Sequence, residues 1–116
     1  MVASACKLVP VGGRDFSDQV VSAFSEALNN VVIHGSASAD GEIEIDIDLG
    51  EDRITLRLKD GGRPFDLRTV PAPDLDALPE SGMGAFIIQS FMSKVSYVAG
   101  PPNILSMTKM VGEDLR

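Results

Sequence analysis

Residues Glu42–Gly62 read EIEIDIDLGEDRITLRLKDGG. In an extended chain successive side chains point to opposite faces. Ile43, Ile45, Ile47 and Leu49 therefore share one face, and Glu42, Glu44, Asp46 and Asp48 share the other. The second run repeats the alternation, with Ile54, Leu56 and Leu58 opposed to Arg53, Thr55, Arg57 and Lys59. A turn at Gly50-Glu51-Asp52 joins the runs into an antiparallel hairpin. Matching the apolar faces sets the register, with Leu49 opposite Ile54 and Ile47 opposite Leu56. Asp46 then meets Arg57, and Glu44 meets Lys59, on the wet face, where such pairs fix register more than stability. A sheet with one wet face carries its helices on the other face only.

Upstream lies RDFSDQVVSAFSEALNNVVIHG, residues 14–35. Phe16, Val20, Phe24, Ala27, Leu28 and Val31 recur at helical spacing and form one apolar stripe. Asp15 or Ser17 is expected as its N-cap and Gly35 as the residue after its end. A short strand is expected at residues 7–11. Downstream, residues 63–83 are rich in proline and long for a loop in a compact domain, a pattern typical of functional lids or of disordered segments. A helix over 85–92 and strands over 94–98 and 104–110 complete the expected order, all within one domain spanning residues 1–116.

The composition narrows the function classes. Apolar residues are 44% and charged residues 23% of the 116, as in soluble globular proteins. Lys plus Arg number 10 against 17 Asp plus Glu, a net charge of -7. That charge disfavours nucleic acid or an anionic membrane as the main partner, but not a nucleotide whose phosphates meet backbone amides and a metal ion. No apolar run approaches the ~20 residues of a membrane span, and the N-terminus does not read as a signal peptide. A single cysteine, Cys6, excludes an intrachain disulfide and fits a cytoplasmic setting.

Three short motifs carry candidate chemistry. In SEALNNVVIHG, Glu26 and Asn30 are four residues apart and share a helix face beside the apolar stripe. The Asn30 amide oxygen suits a hard cation such as Mg²⁺, and Glu26 suits a general base. In LKDGGRPFD, Asp60 sits where a core strand opens into a loop and suits an exocyclic amine such as that of adenine. Gly62 lets a planar ring approach the backbone. In ESGMG, Gly82, Met83 and Gly84 precede a helix whose free N–H groups and dipole attract anions. Taken singly, each motif also has a plain explanation: a solvated helix edge, a turn, a helix start.

Their order resembles that of the GHKL (Bergerat-fold) ATP-binding domains. The wording is closer still to the anti-sigma-factor serine kinases of bacterial partner switching, the RsbW/SpoIIAB type. SEALNNVVIHG resembles their N box, KDGGRPFD their G1 box and SGMGAFIIQSFMSKVSY their G2 box, so that the likeness covers roughly residues 17–110. The resemblance implies an α+β two-layer sandwich with a mixed, largely antiparallel sheet and helices on one face. It implies that Asn30 holds Mg²⁺ against the phosphates of ATP and that Glu26 takes the proton of a serine hydroxyl. Asp60 would read the adenine amine, Gly62 would lie near the ring, and Gly82, Met83 and Gly84 would wrap the phosphates beneath a lid at about 63–83. The implied substrate is a STAS-domain anti-sigma factor antagonist, and the other implied partner is a sigma factor.

Two features depart from the family pattern. Only ACKLVPVGGRD precedes the N box, where the family carries a further helix that takes part in dimer and partner contacts, so a homodimer stays open. Before the last strand, Pro102 and Asn103 stand where the family often has Gly-Thr, so one phosphate or adenine-side contact is expected to be lost. These departures keep a second reading in view, a catalytically weak or inactive module of the same fold that regulates a partner. His34 is the only histidine and lies inside the N box, so a complete histidine kinase is not expected.

Overall fold

The structure, a computed structural model, describes residues 14–35, 42–69 and 83–111. Helix α1 (Arg14–Gly35) is followed by strands β1 (Ile43–Leu49) and β2 (Arg53–Asp60). A 3-10 turn (Leu67–Thr69), helix α2 (Met83–Phe91) and strands β3 (Lys94–Val98) and β4 (Asn103–Met110) complete the order. The expected strand at residues 7–11, residue Gly82 and most of the expected lid lie outside the described residues. Helix α1 runs from Arg14, so Asp15 and Ser17 sit within it, and Gly35 is its last residue. Asp15 lies in the first turn, where its charge complements the helix dipole.

The sheet has the order β1-β2-β4-β3, with every neighbouring pair antiparallel. Both β2 and β3 run antiparallel to β4, so they are parallel to each other. The α2 connection between them is thus a crossover, and β4 returns to fill the gap. The hairpin register agrees with the alternation throughout: Leu49 pairs with Ile54, Ile47 with Leu56, Asp46 with Arg57 and Glu44 with Lys59. The closer ion pairs lie on diagonals, while Lys59 also reaches Glu44 directly opposite. Lys59 Nζ is 2.7 Å from Asp46 and 4.0 Å from Glu44, and Arg57 pairs with Asp48. Strand twist brings long side chains nearer to a diagonal neighbour than to the residue opposite. The same wet face carries a hydroxyl pair, Thr55 with Thr108, at 2.9 Å.

The other face is the core. Ile54, Leu56 and Leu58 of β2 and Leu105 and Met107 of β4 are buried under both helices. Helix α1 contributes Phe16, Val20, Ala23 and Ala27, and α2 contributes Ala85 and Ile88. The buried seam of α1 therefore runs through the two alanines, while Phe24, Leu28 and Val31 flank it half-buried. Small residues at 23, 27 and 85 let the two helices approach closely. Leu49 was expected inward but is exposed. It ends β1, an edge of the sheet formed by the described strands, beyond the cover of the helices. Among the described residues no helix is long and apolar enough to cross a membrane.

Leu56 and Thr55 are adjacent and face opposite ways, which gives a test of this layering. Leu56→Ala is expected to cost about 2–5 kcal/mol in urea unfolding. Thr55→Ala, losing one half-exposed hydroxyl pair, should cost about 1 kcal/mol or less.

Candidate functional site

The apolar seam of α1 passes through Phe16, Val20, Ala23 and Ala27, and its next place is taken by Asn30. Its side-chain nitrogen is buried and has no hydrogen-bond partner among the described residues. Rotating the amide exchanges its oxygen and nitrogen, so the finding is an unengaged amide end. It can offer an oxygen to a cation or an N–H to an anion.

Glu26, one turn earlier, lies against the start of α2. A Cβ built on Gly84 would fall 2.8 Å from Glu26 Oε2 and 3.7 Å from both polar atoms of the Asn30 amide. Gly84 therefore leaves the space that these two side chains occupy. Met83 and Gly84 were expected before the helix, but they form its first turn, with Met83 half-buried. Their N–H groups belong to the open end of α2, the end that favours an anion.

Asn30 also lines a cleft with Val31, Asp60, Arg63, Phe65, Leu67, Tyr97 and Leu105. As it stands the cleft is narrow, with about 10 Å³ of free volume, room for about one water molecule. Phe65, Leu67 and Leu105 make an apolar wall. The wall is tied across the fold, because Phe65 N–H donates to Tyr97 Oη at 2.9 Å. Leu67 is held by a small clamp in which Asp66 accepts the Arg68 backbone N–H at 3.0 Å and its guanidinium at 2.8 Å. The Arg68 guanidinium holds the Asp66 carboxyl below its ordinary range.

At the cleft's other side Asp60 is buried at the end of β2. Its Oδ1 accepts the Gly62 N–H at 2.9 Å and an Asn103 amide N–H at 3.3 Å. Asn103 is 1% exposed. Its Nδ2 also donates to the Gly62 carbonyl at 2.9 Å, and its Oδ1 accepts the Gly100 N–H at 2.9 Å. Gly100 admits no side chain, because a Cβ there would overlap the Pro102 carbonyl.

The structure thus brings Asn30 and Asp60 to one cleft, sets Glu26 and Gly84 beside Asn30, and joins Gly62 to Asp60. The cleft walls Arg63, Phe65, Leu67, Tyr97 and Leu105 were not singled out in the sequence. Asn103 was read only as a departure in a turn. Its signal was a polar residue at the head of the inward series Asn103, Leu105, Met107, Lys109. The residues present suit ATP and Mg²⁺: a buried unengaged amide, a carboxylate with one committed oxygen, an apolar wall and an open helix end. Among the described residues no group of three or more His, Cys, Asp or Glu is placed to hold a metal.

The profile of the family described as histidine kinase-like ATPase domain matches residues 4–109. The Serine-protein kinase RsbW of Staphylococcus aureus is 32% identical over 102 residues, which cover 79% of this chain and 64% of that protein. RsbW of Bacillus cereus strain AH187 is 32% identical over 105 residues, covering 84% and 65%. RsbW of Listeria innocua serovar 6a is 31% identical over 100 residues, covering 78% and 64%. The chain thus spans just under two thirds of the length of these curated relatives.

An amide kept buried without a partner costs stability, and removing it should return some. Asn30→Leu, of similar size, is expected to leave the ligand-free protein as stable as before or more stable by up to about 2 kcal/mol in urea unfolding. A loss above about 1 kcal/mol would mean that the amide is already bonded.

Proposed function

This chain belongs to the histidine kinase-like ATPase family, and on that premise we propose that it is a protein serine kinase. The observation that carries the reading is the Asn30 amide, buried and unengaged in the cleft that also holds Asp60. Bound ATP supplies the γ-phosphoryl group, and Mg²⁺ screens its charge.

Asn30 holds the cation through its amide oxygen. Asp60 accepts the adenine amine, Gly62 lies against the ring, and Phe65, Leu67 and Leu105 exclude water from it. The amides of Met83 and Gly84 at the open end of α2 face the phosphates, and the resemblance assigns Gly82 to the same role. Glu26 accepts the proton of a serine hydroxyl as its oxygen bonds to the γ-phosphorus. The bond from that phosphorus to the bridging oxygen breaks, and ADP leaves. The resemblance to partner-switching kinases supports a STAS-domain anti-sigma factor antagonist as the substrate. It likewise supports a sigma factor as the second partner and a cytoplasmic setting.

Two measurements test this. ATP with Mg²⁺ at 100 times its Kd is expected to stabilise the protein by about 2.7 kcal/mol, and ATP with a chelator much less. With labelled ATP and a STAS partner, Glu26→Gln should lower phosphate transfer by about 10²–10⁴-fold while ATP affinity holds. Unchanged transfer in that variant would remove Glu26 from the role.

A further inference from the structure

We infer that Asn103 is the positioning residue that gives the cleft its preference for a 6-amino purine. The inference rests on the nucleotide reading above and adds to it a residue outside the three motifs. Asn103 pairs with Asp60 across β2 and β4, so the backbones fix their separation. Every polar atom of its side chain is engaged. Nδ2 donates to Asp60 Oδ1 and to the Gly62 carbonyl, and Oδ1 accepts the Gly100 N–H. This set also fixes which end of the amide is nitrogen. The reversed amide would turn its oxygen toward two other acceptors.

The consequence falls on the two groups assigned to the adenine. Asp60 Oδ1 already receives two N–H groups. Its Oδ2 has no hydrogen-bond partner among the described residues and is left for the amine of the base. Gly62 is gripped at both ends of its backbone, its N–H by Asp60 and its carbonyl by Asn103. One buried amide therefore sets the orientation of the carboxylate and the position of the glycine together. Without it, Asp60 keeps its Gly62 bond, but its plane is free to turn. Selectivity for the amine then falls even where affinity for the phosphates remains.

The test compares ATP with purine riboside 5′-triphosphate, which carries hydrogen in place of the 6-amino group. Both are titrated with Mg²⁺ into the parent protein and Asn103→Ala. The parent should prefer ATP by at least about tenfold, as expected for a hydrogen bond to a charged group. Asn103→Ala should bind the two ligands within about threefold of each other. Asn103→Ser, which keeps a small polar group in the strand, is the second variant should the alanine variant not fold, and it too should lose most of the preference. If Asn103 only supports the fold, both ligands weaken together and the preference stays near its parental value, which overturns the inference. If the parent itself fails to bind ATP, the nucleotide reading falls and this inference with it, and the unmutated arm alone reveals that outcome.

Discussion

The hydrogen-bonded pair of Asp60 and Asn103 closes the buried face of the sheet, and the layout of the cleft depends on it. Along β2 the inward positions run Ile54, Leu56, Leu58, Asp60; along β4 they run Asn103, Leu105, Met107, Lys109. The period of two that buries the aliphatic residues thus delivers an aspartate and an asparagine, in register, to the rim. Helix α1 does the same with its own period. The seam through Ala23 and Ala27 arrives at Asn30. The candidate site lies where each apolar series runs out and a polar residue takes the next place.

The polar residues at that boundary fall into two energetic kinds. Asn103 is buried with every bond made, so desolvation is offset by partners of good geometry. Lys109, also buried, donates to the Phe91 carbonyl at the end of α2 at 2.7 Å, where a cation meets the negative end of the helix dipole. These residues stabilise the framework. Asn30 differs, since its amide nitrogen is buried without a partner among the described residues. A group that weakens the ligand-free fold and faces a cleft is best accounted for by what enters that cleft.

Much of this architecture was legible from residue spacing. The hairpin register followed from the alternation alone, because a slip of one residue would turn every isoleucine to water. Of the ion pairs on its wet face, Lys59 with Glu44 followed from opposition, but Arg57 with Asp48 and Lys59 with Asp46 did not, because twist brings long side chains to diagonal neighbours. The start of α2 was placed at Ala85, two residues late, because Gly84 has low helix propensity and reads as loop. Packing against Glu26 and Asn30 supplies the reason for a glycine inside the helix. The three motifs singled out Asn30, Asp60 and Gly62, which lie together in the fold, but not the apolar wall. Phe65 and Leu67 lie in a segment without periodicity, and Tyr97 joins them only through the path of the chain. Asn103 was hidden by its prolines, which drew attention to the turn and away from the strand that follows.

Gly84 and Glu26 make up one steric unit across two helices. The carboxylate occupies the volume that any other residue at position 84 would claim. A larger residue at 84 would push the Glu26 carboxylate out of the place it holds beside Asn30. The contact is also mechanical. A shift in the first turn of α2 would be felt first at the Glu26 carboxylate.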